Sequence, residues 1–298
     1  MTVRSARHLT VSAAHEARLA VQVHEGVLEH DPSLPTVVMA HGWTLTHAAW
    51  RPVLEELLTH RAVRVVTYDQ RGHGDSTMGR PPKATVRLLG DDLAEVIAAT
   101  VPGDSPLVLV GHSMGGMTIM AYAGSHHADF GRRVRGTVLV GTAASVQGRR
   151  PIPLESLVMG VASRAPRIGA GIFVPSAIQG PMIFGRDADP ADVKEVVGLI
   201  KRTKMPTIGA FFTAIEAHDE IASLAHFVDV PTHILVGSKD RLTPVAWARM
   251  LQEQIPGSRL TVLPDLGHML AYEATGTVTD AVIEFVDCPV DSPPVASA

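Results

Sequence analysis

The sequence predicts an α/β protein with a mostly parallel central sheet, helices on both faces and one helical insertion. Three observations carry that prediction. Short apolar, β-branched runs recur along the chain, and several are continuous rather than alternating, as strands buried on both faces are. Segments of helical spacing lie between them, as parallel neighbours need a crossover connection. One long stretch, from about Ser145 to Asp229, breaks the rhythm with many Pro and Gly and no convincing strand.

Taken in order, residues 9–24 read as a short antiparallel edge pair whose second half is the run 18–23. Strands follow at 36–40, 63–68, 107–110, 136–140, 233–236 and 260–263. The segment 85–101 places Val86, Leu89, Leu93, Val96 and Ile97 near helical spacing, with Asp91, Asp92 and Glu95 for the wet face. Asp189-Pro190 opens another helix, and residues 244–255 begin with a proline suited to a first turn after a cap at Thr243. Apolar helical pieces in the interrupting stretch carry Met159, Ile172, Phe173, Ile178, Met182, Phe184, Phe211 and Phe212. The expected organisation is a core of residues 1–144 and 230–286, an insertion over 145–229 and a loose tail over 287–298, where DCPVDSPPVASA has too little apolar content to pack.

A chain of 298 residues can bury an ordinary core, and a formal charge of −4 without blocks of like charge gives no attraction to nucleic acid. Cys288 is the only cysteine, so no intramolecular disulfide or zinc thiolate cluster is expected, and a reducing, cytoplasmic setting fits best. The N-terminal residues lack the apolar core of a secretory signal, and no run reaches the roughly eighteen residues of a membrane span. The fifteen histidines are scattered without an HExxH-type pair, so no metal is expected. Nothing in the sequence calls for a dimer.

The chemistry starts at Gly111-His112-Ser113-Met114-Gly115, where a serine between glycines follows a buried strand and precedes a helix of small residues. That is the context of a nucleophile elbow, a tight turn that exposes the hydroxyl while the glycines relieve crowding. A hydroxyl is a weak nucleophile and needs a base with a group to orient it. Asp240 follows the strand HILVG, and His268 follows the next strand in Asp265-Leu266-Gly267-His268-Met269. Asp265, three positions from His268, is a competing partner, although a loop neighbour is more often a turn former. Asp69 ends the strand VRVVTYD as another available acid. His112 reads as packing or a second hydrogen-bonding layer, and His126-His127 and His218-Asp219 match no motif.

With these residues in order, the chain resembles the α/β-hydrolase superfamily over essentially residues 36–285. The resemblance rests on HGW at 41–43, DQRGHGDS at 69–76, GHSMGG at 111–116, GSKDRLTP at 237–244 and LGHMLAYE at 266–273. It implies an α/β-hydrolase fold, Ser113 as nucleophile, His268 as general base then acid, and Asp240 as the carboxylate that orients the imidazole. Asp69 in that motif mainly organises the following turn. The oxyanion donors are then the backbone N–H groups of Met114 and Trp43. The insertion occupies the position from which cap domains arise in the family, and Trp43, Met182, Phe184, Phe211 and Phe212 are the candidates for an apolar substrate pocket.

The activity so implied is serine hydrolysis of a carboxylic ester, lactone or thioester of a largely apolar small molecule, without a cofactor. Alternatives on the same triad are a cofactor-free perhydrolase, since DQRGHGDS and GHSMGGM are similar to cofactor-free haloperoxidases, and a carbon–carbon bond hydrolase. The second is demoted because the loop reads HGWTLT rather than HGxGPG. A non-hydrolytic cyclase or small-molecule receptor on the same fold is the alternative of another class.

Overall fold

The computed structural model describes residues 6–26, 31–148, 155–165 and 176–288, with the backbone alone at 155–156 and 176–179. Strands β1 (Arg7–Ala13), β2 (Ala17–Glu25), β3 (Thr36–Ala40), β4 (Arg64–Tyr68), β5 (Leu107–His112), β6 (Val134–Val140), β7 (Thr232–Gly237) and β8 (Arg259–Leu263) form one sheet. Its order is β1-β2-β4-β3-β5-β6-β7-β8. The β1/β2 and β2/β4 pairs are antiparallel and the rest are parallel, so the expected edge pair joins an otherwise parallel sheet.

The continuous apolar runs are buried on both faces for the expected reason. Successive side chains of a strand point to opposite sides, so Val37 and Val108 enter one core while Val38 and Leu109 enter the other. On the first side lie α1 (Arg51–His60), through Val53 and Leu57, and the C-terminal helix through Val278 and Val282. On the second lie α2 (Val86–Thr100), through Leu93, Val96 and Ile97, and α3 (Met114–Ser125), through Ile119 and Tyr122. Burying one such aliphatic side chain is worth about 1.5–3 kcal/mol, so the two cores are a main source of the sheet's stability.

After α4 (His127–Arg133) and β6, the chain builds α5 (Glu155–Ala162), α6 (Ser176–Ile183), α7 (Pro190–Arg202) and α8 (Met205–Glu216) before returning to β7. Ser145 pairs with Asp219 in an isolated antiparallel bridge where this helical excursion leaves and rejoins the sheet. The remaining helices are α9 (Val245–Gln254), α10 (Leu270–Glu273) and α11 (Thr275–Val286). Ile172, Phe173 and tail residues 289–298 lie outside the described residues, as does the side chain of Ile178. Among the described residues, no helix is long and apolar enough to cross a membrane.

Two caps follow the sequence. Thr85 accepts from the Leu88 N–H at 3.1 Å ahead of α2, and Asp189 accepts from the Ala191 N–H at 2.7 Å ahead of α7. Two expectations need correcting. Thr243 does not cap α9, whose N-cap is Pro244; its hydroxyl is drawn instead to the Asp240 carboxylate. Asp92 is not on the wet face, because it is buried against the fully buried Arg71 in a two-pronged pair at 2.8 and 2.5 Å. Burial pushes the Asp92 carboxyl up despite its partner, which marks the pair as costly to bury and costlier to break.

Candidate active site

The elbow is made by strand and helix meeting with one residue between them. β5 ends at His112 and α3 begins at Met114, so Ser113 alone reverses the chain, with φ 53° and ψ −119°. A non-glycine residue held there stores about 1–3 kcal/mol, and the surroundings must over-determine it. They do. The Ser113 N–H donates to Val140 O at 2.9 Å, and its carbonyl accepts from the Gly116 N–H at 3.0 Å and the Thr142 hydroxyl at 2.7 Å. A Cβ on Gly111 would lie 2.6 Å from the backbone of Gly115, and one on Gly115 would meet the Ala40 carbonyl, which is why both positions are glycine.

Asp240 leaves the end of β7 and His268 follows β8, and the two meet. His268 Nδ1 lies 2.8 Å from Asp240 Oδ2, with both residues buried. The other carboxylate oxygen accepts from the N–H groups of Leu242 at 2.9 Å and Thr243 at 2.8 Å. The Thr243 hydroxyl donates to Oδ2 at 2.7 Å, 3.2 Å from the ring nitrogen. Burial pushes the Asp240 carboxyl up, but the His268 ring and the hydrogen bonds from that ring and Thr243 outweigh it and hold the carboxyl below the usual range. An ionised carboxylate only accepts, so Nδ1 carries the proton and Nε2 is left with its lone pair.

One turn brings this pair to the serine. Val140 and Thr142 hold the Ser113 backbone, and between them a Cβ on Gly141 would lie 3.2 Å from Asp240 Oδ2 and 3.3 Å from His268 Nδ1. No hydrogen bond joins the Ser113 hydroxyl to the His268 ring among the described residues; such contacts are commonly loose until substrate tightens them. The His268 backbone is fixed on both sides, its N–H donating to Ile183 O at 2.8 Å and its carbonyl accepting from His112 Nε2 at 2.9 Å. Burial, then the neighbouring His268, pulls the His112 pKa down to about 3, so this ring stays neutral as it positions the loop. Thr243 lies inside the 237–244 motif but reads there as a helix cap, and the 140–142 turn lies in no motif, because neither stands at a spacing that marks chemistry.

The competing acids are placed elsewhere. Asp265 is exposed on a turn at φ 59°, beside Lys239 at 3.6 Å. Asp69 is buried and organises the DQRGHG turn, accepting from the His47 N–H at 2.8 Å, His47 Nδ1 at 2.7 Å and the Asp75 N–H at 2.9 Å. His126 pairs with Asp91, His127 stacks on His226, and His218 bonds to Ala143 O.

The two amides expected to receive an oxyanion flank the elbow. Met114 is the first residue of α3, where free N–H groups and the positive end of the helix dipole coincide. Trp43 follows β3, and the neighbouring Gly42 passes so close that a Cβ there would lie 3.2 Å from Ser113 Cβ. Phe211 packs in one cluster with Met114 and Trp43, and the Phe212 ring lies 6.0 Å from the Trp43 ring, so α8 covers the elbow. Phe184 instead packs with Met269 and Tyr272, and Met182 is 46% exposed on α6. The structure thus gathers three of the five pocket candidates.

Burial also sets an acid limit. His41, His73 and His112 are held near 4, 3 and 3 by desolvation above all, whereas an unfolded imidazole takes its proton near 6.5. Their contribution to stability is therefore complete above about pH 6.5 and is lost as pH falls towards the folded values, each proton withheld by the folded state costing about 1.4 kcal/mol of stability per pH unit. Urea unfolding at about pH 7 and pH 5 is expected to show a much lower midpoint at the acid value. An unchanged midpoint would mean that these rings are not buried neutral.

The family model described as serine aminopeptidase, S33, matches residues 31–275. A non-heme haloperoxidase of Rhodococcus erythropolis is 27% identical over 84% of this chain and 92% of its own. A pimeloyl-(acyl-carrier protein) methyl ester esterase of Chromobacterium violaceum is 26% identical over 78% of this chain and 87% of its own. Among solved structures, an esterase from Exiguobacterium antarcticum matches with a TM-score of 0.77 at 22% identity, covering 95% of this chain and 100% of that one. A thermophilic esterase from Thermogutta terrifontis matches at 0.74 and 24% identity, covering 94% and 97%. These last two share the fold with this chain.

Proposed function

Because the chain belongs to the serine aminopeptidase S33 family of α/β-hydrolases, we propose that this serine hydrolase cleaves a carboxylic ester, lactone or thioester of a largely apolar small molecule through an acyl-enzyme. The observation that carries the reading is the buried Asp240–His268 hydrogen bond beside an elbow whose backbone is held by the same 140–142 turn. Ser113 Oγ attacks the carbonyl as its proton passes to His268 Nε2. Asp240 stabilises the imidazolium without taking the proton. The oxyanion accepts from the N–H groups of Trp43 and Met114, where loss of one donor typically costs about a hundred- to a thousandfold in turnover. His268 then protonates the leaving oxygen or sulfur, and water, deprotonated by the same nitrogen, releases the acid and restores the serine.

The helices of residues 145–229 act in this scheme as a cap. Phe211 and Phe212 on α8, with Trp43 below them, offer an apolar wall at the elbow and favour an uncharged acyl portion. The similarity to methyl ester esterases supports ester chemistry. The similarity to a haloperoxidase keeps a second reading, in which peroxide rather than water takes the acyl group on the same residues.

A fluorophosphonate probe tests the proposal. Covalent labelling of Ser113, located by mass spectrometry and matched by loss of p-nitrophenyl ester cleavage, is the expected result. A folded sample that neither labels nor turns over esters, lactones and thioesters would leave a receptor or cyclase on this fold as the better reading.

A further inference from the structure

Beside the loop that carries His268 lies a cavity of about 970 Å³, and neither Ser113, His268 nor Trp43 lines it. Its wall nearest the site is the segment Phe184–Arg186, which follows Ile183, the acceptor of the His268 N–H, and packs on Gly267. Its longest wall is α7. Pro190, Val193, Lys194, Val197, Gly198 and Lys201 all face the cavity, spaced as the single stripe that an α-helix presents every third or fourth residue. Val196 and Leu199 point the other way, into the core against α1 and α11. Glu195 also points away, towards Arg51 and Tyr272.

The chemistry of the lining is one-sided. Arg186, Lys194, Lys201, Lys239 and Arg241 contribute five cations, and no carboxylate lines the cavity with them among the described residues. Asp265 at the edge touches Lys239 at 3.6 Å, and Arg241 donates to the Pro181 carbonyl at 3.5 Å. In a chain of formal charge −4, this is a local concentration against the overall balance. Between the cations the surface is apolar, through Phe184, Val193 and Val197. Cationic side chains around an aliphatic floor complement an anionic head joined to a hydrocarbon tail.

We propose that this cavity binds an amphipathic anion, its carboxylate or phosphate held by the cations and its aliphatic tail laid on Phe184, Val193 and Val197. The site is separate from the elbow under α8, and it stands whether or not Ser113 is the nucleophile.

Titration calorimetry of the full chain with sodium decanoate, decyl phosphate, decyltrimethylammonium and inorganic phosphate tests it, with and without prior fluorophosphonate treatment. Both anionic amphiphiles are expected to bind one per chain, treated or not, and the tighter of the two identifies the source as a fatty acid or a phospholipid-derived ligand. Inorganic phosphate should bind more weakly, since it has no tail, and the cationic analogue should not compete. The double variant Arg186→Gln/Lys194→Gln removes two exposed charges outside the catalytic machinery. It should weaken the anions by roughly three- to tenfold with the rate of Ser113 labelling unchanged. Unchanged affinity in that variant, or equal binding of the cationic amphiphile or of phosphate alone, would overturn the proposal. Failure of the probe to label Ser113 would count against the hydrolase reading and leave this titration intact.

Discussion

Ser113→Ala is expected to lower turnover of a p-nitrophenyl ester by about 10⁴- to 10⁶-fold in a protein that folds normally. The residual rate above water would come from the amides of Trp43 and Met114 and from substrate binding. Ser113→Gly separates chemistry from strain. Alanine keeps a Cβ at φ 53° and inherits the steric cost, whereas glycine adopts that backbone freely. The glycine variant should therefore be as inactive as the alanine variant, yet more stable than wild type by about 1 kcal/mol. Loss of activity with a gain in stability is the signature of a residue held in a costly conformation for its hydroxyl. Full activity in either variant would remove Ser113 from the mechanism.

The sequence made the strands and the elbow legible because both are local. Continuous runs such as Val37-Val38 and Val108-Leu109 announce burial on two faces, and GHSMGG announces a turn that only small neighbours permit. Less local features were harder to read. Thr243 stands where a helix cap is expected, but the Asp240 carboxylate competes for its hydroxyl and wins. Asp92 has a polar residue's claim to solvent until Arg71, twenty-one positions earlier, is brought beneath it. Phe184 and Phe211 are the same residue type in the same insertion, yet one packs with Tyr272 and the other with Met114, because the segment after α6 and α8 meet different parts of the core. The stripe of α7 could be recognised as amphipathic. That it faces a basic cavity rather than the core depends on Lys239 and Arg241, which reach it from the loop after β7.

Asp240→Asn and Asp265→Asn form the other decisive pair, and their effects should differ by orders of magnitude. At position 240 the amide can donate to Nδ1 of His268, which moves the ring's proton to Nε2 and presents Ser113 with an N–H in place of a lone pair. It also removes the charge that stabilises the imidazolium and disturbs a carboxylate satisfied by three donors besides the ring. Turnover should fall by about 10⁴-fold with little change in KM, since the change acts on proton transfer rather than on binding. Asp265 lies on an exposed turn whose partner is Lys239, and an exposed pair of this kind is worth less than about 1 kcal/mol. Its amide variant should stay within a few-fold of wild type. A larger loss at 265 than at 240 would mean that the hydrogen bond at 2.8 Å is not the one that sets the tautomer, and the assignment of the orienting acid would pass to the turn.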